Sequence, residues 1–320
     1  CRYMGLHRGW LALCFNAIMP MLLLMLFGLF LKRIRFIPDA GFAAMDRLCF
    51  KIFIPAVLFS NVYHADFSKD FQLKAVVFME LALIFVFLLS FYLVPRVLKC
   101  SNEISATLIH GLSHGNLAVL GLPLIQNLFG TEQMAFYSIL VACTSPLINP
   151  LMVYEHLHFQ GETLSPMKTI KNIMTSPFLI GTLLGLACNA LRVVFPTFLE
   201  TTLSSVCSIA SPLCLIALGS SFKLTSNRTE NRYAAGVALL KCVVIPAVVL
   251  LVAVLLGFRG IVLASLMVIF CCPSATATYS FCTGYCGKPS LAAQIVVIST
   301  LFSVFSMFGW LMLFLTLNLF

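Results

Sequence analysis

The stretch His110-Gly-Leu-Ser-His-Gly-Asn-Leu-Ala-Val-Leu-Gly-Leu-Pro-Leu124 decides the fold, because it lies in an apolar run yet carries three glycines, an asparagine and a proline. A helix in hydrocarbon pairs its backbone polar groups internally. Breaks are tolerated only where the backbone is buried in protein or lines a water-filled cavity. The pattern therefore predicts an interrupted helix beside a cavity, as in carrier binding sites. The alternative is a continuous packing helix with small residues.

The composition around this stretch is typical of an integral membrane protein. Hydrophobic residues make up 61% of the 320 residues, charged residues 10%, and the mean hydropathy is +1.03. A bilayer core of about 30 Å needs roughly 20 apolar residues per helix. About ten such runs occur, near residues 10–31, 42–63, 73–94, 104–129, 134–154, 176–194, 199–222, 234–257, 261–285 and 291–317. A soluble globular domain is excluded.

The net charge is +9, but the basic residues lie mostly in the loops between the predicted spans. We therefore expect no nucleic-acid partner. One set of alternate loops holds most of the Lys and Arg residues, among them Lys32, Arg33, Arg96 and Lys99. By the positive-inside rule this side is cytoplasmic. The prediction is a multi-pass protein of the cell (plasma) membrane with both termini extracytoplasmic.

Several residues of the first half, including helix-breaking proline and glycine, recur in the second half at one constant distance along the sequence. The pairs that differ by 157 positions are Pro20 and Pro177, Gly28 and Gly185, Arg35 and Arg192, and Pro55 and Pro212. We infer two five-helix repeats, residues 1–154 and 172–320, joined by a cytoplasmic loop at 155–171. Because five is odd, the second repeat enters the bilayer from the opposite face, which makes the repeats inverted.

The same offset relates Asn116 to Pro273, which lies within Cys271-Cys-Pro-Ser-Ala-Thr-Ala-Thr-Tyr279. This segment of span 9 also predicts a broken helix. Two broken helices at equivalent positions of inverted repeats should cross near the membrane midplane. Their half-helix N-termini would then direct partial positive charge into one space, which predicts an anionic solute.

These residues resemble the auxin efflux carrier family. The resemblance rests on Leu120-Gly-Leu-Pro-Leu-Ile-Gln-Asn-Leu-Phe-Gly130, Phe53-Ile-Pro-Ala-Val-Leu-Phe59, Ala217-Leu-Gly-Ser-Ser221 and the segment from Pro273 onward. It implies ten helices in two inverted repeats, a scaffold half and a transport half, with an organic anion bound where helices 4 and 9 cross. The short loop between helices 5 and 6 looks more like a bacterial member, for which malate, malonate and similar small acids are expected.

By resemblance, Asn116 matches the crossover asparagine that contacts the substrate carboxylate, and Pro273 matches the crossover proline of helix 9. Two departures from the plant members are clear. Gly115 stands where they have proline, and Leu83 stands where they have a lysine that accompanies an acidic residue, here Glu80. These departures argue against auxin itself.

The candidate substrate-binding residues are the small and polar residues of the two breaks and of span 5. They are Gly115, Asn116, Gly121, Pro123, Thr144, Ser145, Pro273, Ser274, Thr276 and Thr278. For the three hydroxyl residues of span 9 the alternative is hydrogen bonding back to their own helix carbonyls. No cofactor is expected.

Five ionisable residues lie within the predicted spans, and they are candidates for coupling transport to an ion or for a charged lining of the substrate site. They are Lys51, Glu80, His110, His114 and Lys241. Each buried charge costs roughly 2.5–3.5 kcal/mol, so it needs a partner or water. One hypothesis is that Lys51 and Glu80 pair across spans 2 and 3, with Lys241 as the counterpart in the second repeat. The alternative is that Lys51 extends its side chain to the cytoplasmic interface. His110 and His114 have a spacing that can hold a metal. Because no third ligand is evident, we expect polar lining or pH sensitivity instead.

The sequence thus predicts a secondary transporter of small organic anions that works by alternating access, with auxin-like acids within its range. The alternatives are an H+- or Na+-coupled symporter of the bile-acid type and a non-transporting sensor that retains the carrier fold. An enzyme is not expected, because no nucleophile and base set or metal motif occurs. The expected partners are the small organic anion, the lipid bilayer, H+ or Na+, and a second copy in a homodimer.

Overall fold

A computed structural model describes residues 2–64, 72–130, 133–161, 175, 177–220 and 227–320, without the side chains at 2–15, 17–18, 145–146, 178, 280 and 283–284. The helices of the first half are α1 (Arg2–Arg33), α2 (Asp39–Leu48), α3 (Ile54–Tyr63), α4 (Leu73–Leu98), α5 (Asn102–Ser113), α6 (Leu122–Phe129) and α7 (Met134–Gln160). Those of the second half are α8 (Pro177–Ala190), α9 (Thr197–Ser220), α10 (Arg228–Leu239), α11 (Ile245–Leu255), α12 (Gly260–Cys271), α13 (Ala277–Gly284) and α14 (Pro289–Thr316).

In the part of the chain that the structure describes, three wider π turns interrupt these helices, at Cys49–Phe53, Leu117–Gly121 and Leu240–Val244. Each is followed by an apolar residue and a proline, as in Ile54-Pro55. Proline has no backbone N–H, and its ring clashes with the carbonyl four residues earlier. The widened turn accommodates that clash without ending the apolar run.

Among the described residues, five helical segments are long and apolar enough to cross a membrane: Leu73–Leu98, Met134–Gln160, Thr197–Ser220, Arg228–Leu255 and Pro289–Thr316. Their outer faces are apolar as well. On α4 a stripe of exposed side chains recurs every three or four residues, formed by Leu73, Val77, Leu81, Phe85, Leu88 and Tyr92. Such a face needs lipid rather than water. The prediction of an all-helical membrane protein is confirmed.

The helices pack in two groups. The first contains α1, α2, α3, α8 and α9, and the second contains α4 to α7 and α10 to α14. In the first group α1 packs on α9, and α8 packs on α3. Glycines allow this close approach, because a Cβ at Gly28 would lie 2.0 Å from the Ile216 carbonyl oxygen and one at Gly185 would lie 2.6 Å from that of Phe59.

The connection after α7 differs from the sequence prediction. A loop was expected from residue 155, but α7 continues to Gln160 and ends at Gly161, whose φ of 80° forms a left-handed helix cap. The polar residues Glu155 and His156 continue the helix because both are buried. The rest of the predicted loop, 162–171, lies outside the described residues.

Candidate functional site

The two predicted breaks meet each other. The backbone leaves helical geometry after Ser113 at the end of α5 and after Cys271 at the end of α12. An isolated antiparallel bridge pairs Gly115 with Ser274. The Asn116 N–H donates to the Pro273 carbonyl at 2.8 Å, and the Ala275 N–H donates to the His114 carbonyl at 2.9 Å. Each break thus satisfies backbone groups that the other leaves free, as burial requires.

Side chains fix the bridge in place. The Ser274 hydroxyl donates to the Gly111 carbonyl at 2.7 Å, and the Ser274 N–H donates to the Ser299 hydroxyl at 3.2 Å. Ser274 therefore bonds to α5 rather than back to its own helix. The Thr278 hydroxyl is buried without a hydrogen-bond partner among the described residues. The alternative of simple back-bonding does not describe either residue.

A cavity of about 130 Å³ lies beside the bridge, and we name it the crossover cavity. Its lining combines both breaks with α7 and the turn after α10. The predicted residues among its lining are His114, Gly115, Asn116, Thr144, Lys241 and Thr276. Six of the candidate residues therefore surround one space, although they come from four separate parts of the chain.

Lys241 supplies the charge of the crossover cavity. Its side chain is only 3% exposed, and its ammonium group donates to the Leu112 carbonyl at 2.9 Å. Among the described residues no carboxylate lies within ion-pair distance of it. A lysine has three donors, and a buried cation without a counter-ion is costly. An anion in the cavity would offset that cost.

Asn116 supplies a neutral donor. It is 4% exposed, and its amide nitrogen has no hydrogen-bond partner among the described residues. An unpaired buried donor costs about 1–3 kcal/mol. A ligand oxygen bound beside Asn116 would recover that cost.

Helix ends add to this positive field. The helical segment Leu117–Phe129 begins at the cavity, where Leu117 and Ala118 form part of the lining. Helix α13 begins there as well, since Thr276 and Ala277 also line the cavity. The N-terminus of a helix carries a partial positive charge. Two such ends, one ammonium and one amide make a space that favours an anion.

The other candidate residues lie elsewhere. Gly121 packs against Tyr137, whose hydroxyl oxygen would be 1.8 Å from an added Cβ and which donates to the Leu117 carbonyl at 3.0 Å. Pro123 lines a different opening, described below. Pro273 is buried in the bridge. The Ser145 side chain lies outside the described residues.

The predicted ion pair between Lys51 and Glu80 is wrong. Lys51 is exposed on the π turn Cys49–Phe53, and neither Glu80 carboxylate oxygen has a hydrogen-bond partner among the described residues. The reason is the packing of α4, which lies against α5, α7 and α11 in the second group, whereas Lys51 belongs to the first. Lys241, its expected counterpart, is buried at the cavity instead.

A larger crevice of about 1170 Å³ separates the two helix groups. Helices α1, α3 and α9 form one wall, and α6 with the start of α7 forms the other. Its polar lining includes Asn61, Gln126, Glu200 and Ser204. Ala118 lines both this crevice and the crossover cavity, so the crevice reaches the site from one side.

Two buried residues that the sequence did not predict, Glu155 and His156, lie beside His110. The His110 and His156 rings are 3.0 Å apart between Nδ1 and Nε2, and His110 Nε2 lies 3.1 Å from His114 Nδ1. Ligand atoms of His110, Glu155 and His156 all lie within 4.8 Å of one another. The polar Glu-His pair at the end of span 5 was the available signal, but it was assigned to a loop.

Apolar spanning helices and a polar cavity at paired backbone breaks define a multi-pass membrane transporter. Residues 13–311 match the family described as membrane transport protein, and the chain belongs to that family, which includes the auxin efflux carriers. The resemblance inferred from sequence is confirmed. The chain is also similar to an uncharacterised transporter of Methanocaldococcus jannaschii, with 24% identity over 313 residues that cover 93% of this chain and 98% of the relative.

Proposed function

We propose that the chain is a secondary carrier of small organic anions such as malate or malonate. The observation that carries this proposal is the lining of the crossover cavity, where the Lys241 ammonium and the unpaired Asn116 amide are both buried. A carboxylate accepts hydrogen bonds at two oxygens and carries the opposite charge. It therefore complements both groups at once.

The size of the cavity favours a small acid. Its 130 Å³ corresponds to about four water molecules at roughly 30 Å³ each. A compact mono- or dicarboxylate fits such a space, whereas the indole ring of an auxin-like acid would need the cavity to widen.

The transport cycle we propose moves one helix group against the other. The first group is the scaffold half and the second is the transport half, which carries the crossover cavity. The crevice between them gives access from one side, and rocking of the transport half would close it and open a path to the other side. Positive-inside bias assigns the crevice to the extracytoplasmic face, with both termini on that face.

The architecture proposed for this cycle is ten spans in two inverted repeats, residues 1–154 and 172–320. Two pairs of features at the 157-residue offset support it. Arg35 and Arg192 both have left-handed φ, 55° and 52°. The glycine contacts also exchange partners, because Gly28 meets Ile216 where Gly185 meets Phe59. A two-fold axis in the membrane plane would produce this exchange.

Flux through proteoliposomes tests the proposal. Purified protein should take up labelled malate or malonate faster than protein-free liposomes, and indole acetate more slowly. Binding of an anion without flux would identify a sensor that retains the carrier fold. Uptake that requires Na+ would favour the bile-acid type of symporter. Neither binding nor flux of any of the three acids would overturn the proposal.

A further inference from the structure

Three histidines form a continuous hydrogen-bonded chain that leads away from the crossover cavity. His114 lines the cavity, its Nδ1 lies 3.1 Å from His110 Nε2, and His110 Nδ1 lies 3.0 Å from His156 Nε2. His156 Nδ1 then contacts the Cys286 carbonyl oxygen. This row of three histidines begins at the candidate anion site and ends at the segment between α13 and α14.

The last contact sets the tautomer of every ring. A carbonyl oxygen only accepts, so His156 Nδ1 carries a hydrogen and, in the neutral ring, Nε2 accepts. His110 must therefore donate from Nδ1, which leaves its Nε2 to accept from His114 Nδ1. His114 Nε2 is then an acceptor at the cavity. The three neutral rings are aligned in one direction, as in a path for a proton.

Glu155 lies beside this chain. Its side chain is fully buried, and neither carboxylate oxygen has a hydrogen-bond partner among the described residues. A buried carboxylate without a partner is strongly disfavoured in its charged form, so it binds a proton or a cation. Its carboxyl atoms lie beside His110 and His156, so Glu155 can exchange a proton with the end of the histidine relay that lies away from the cavity.

The far end of the chain is held in place by neighbouring contacts. The Lys288 N–H donates to the Thr107 hydroxyl at 2.8 Å, and the Lys288 ammonium pairs with Glu230 at 2.9 Å. These contacts fix the segment that presents Cys286 to His156. Cys286 itself is partly exposed, so the row of hydrogen-bonded histidines ends near solvent.

We propose that His114, His110, His156 and Glu155 bind and pass a proton, so that the anion and a proton move together. The inference rests on the carrier function proposed above and names its coupling ion. A proton added at His114 Nε2 releases the Nδ1 proton to His110 Nε2. His110 passes its Nδ1 proton to His156 Nε2, and this imidazolium gives one proton to water, or to Glu155 once the Glu155 carboxyl group has released its own proton. Only N–H and O–H bonds form and break.

Other titratable groups face this chain. The positive charge of Lys241 repels a proton bound to His110 or His114, which favours movement of the proton away from the cavity. Tyr285 and Cys282 lie on the α13 side. Burial, followed by the Glu103 and Glu155 carboxylates, raises the pKa of the Cys286 thiol, which keeps it neutral.

A metal ion is the competing occupant of the same cluster. Tetrahedral zinc with bonds of 2.0–2.1 Å places two nitrogens about 3.3 Å apart. The separation of 3.0 Å between His110 and His156 is that of a hydrogen bond. The geometry therefore favours a shared proton.

Transport driven by a pH gradient tests the relay. In wild-type proteoliposomes an inward proton gradient should drive malonate accumulation, and malonate addition should raise the external pH of lightly buffered vesicles. Glu155→Gln and His156→Gln should each lower gradient-driven accumulation at least ten-fold. Exchange of internal unlabelled for external labelled malonate should persist in both. His158→Gln, an exposed histidine on the same helix, is the matched control and should behave as wild type.

The outcomes separate the two proposals. Loss of exchange in the wild type would count against the carrier function itself. Exchange without malonate-linked proton flux in the wild type would overturn the relay alone, whether or not the variants fold. Gradient-driven accumulation retained by both Gln variants would overturn it as well. Stoichiometric metal in the purified protein, with loss of transport on chelation, would assign the cluster to a metal.

Discussion

Lys241 shows how one residue can define a site that its sequence context leaves ambiguous. In the sequence it is one of several charges inside spans, grouped with Lys51. Both lysines lie on π turns that precede an Ile-Pro pair, yet Lys51 is exposed and Lys241 is buried against the Leu112 carbonyl. Which face of a turn is covered by another helix depends on packing between segments that are distant in sequence, so local sequence cannot decide between the two.

Replacement of Lys241 by methionine should weaken malonate binding by about 30-fold or more. The loss of one partner from a buried charged pair costs about 2–5 kcal/mol. Methionine is a similar length and carries no charge, so folding should not suffer. Titration of purified protein by calorimetry measures the change in affinity.

Lys51→Met is the matched control, because it removes an exposed lysine from another π turn. Its affinity should equal that of the wild type. Equal losses in both variants, or unchanged binding by the Lys241 variant, would mean that the lysine does not hold the anion.

At the scale of elements, the positions of glycine determine how closely the helices approach. A Cβ at Gly28 or Gly185 would collide with backbone oxygen, which cannot move as a side-chain end can. At Gly309 on α14, by contrast, a Cβ would meet nothing within 4 Å. The same residue type therefore has opposite roles at different positions.

Gly28→Ala and Gly185→Ala should each destabilise the protein by about 1–3 kcal/mol, because overpacking forces the helices apart. Gly309→Ala should instead stabilise it by up to about 1 kcal/mol through helix propensity. Thermal unfolding of the detergent-solubilised variants measures both effects. If Gly28→Ala unfolds at or above the wild-type temperature, the close approach of α1 and α9 is not as described.

The elements also show what sequence reasoning can reach. Glycine, asparagine and proline in apolar runs correctly located the irregular backbone after Ser113 and after Cys271, because breakers act locally. The end of α7 was missed, since Glu155 and His156 continue a helix only because α5 and the α13–α14 segment cover them. Six candidate residues line the crossover cavity, whereas Gly121 packs on Tyr137, a contact that no local pattern encodes.

At the scale of the whole molecule, the crevice between the helix groups defines one accessible face. Ser204 is exposed and lines the crevice, and Arg228 at the start of α10 is exposed outside it. If the proposed orientation holds, these two positions lie on opposite sides of the membrane.

A cysteine at Ser204 should therefore react with a membrane-impermeant maleimide on intact cells. A cysteine at Arg228 should react only after the membrane is permeabilised. Wild-type protein gives the background from the natural cysteines. The reverse pattern, with Arg228→Cys labelled first, would invert the proposed topology.

The contact between the two breaks affects how substrate preference can change during the evolution of such a protein. Peptide groups, not side chains, make two of the hydrogen bonds between the irregular segments at Gly115 and Ser274. A mutation that alters a neighbouring residue leaves those links in place. Single substitutions in the lining of the crossover cavity can thus change its chemical preference while the backbone contact that holds the two breaks together is preserved.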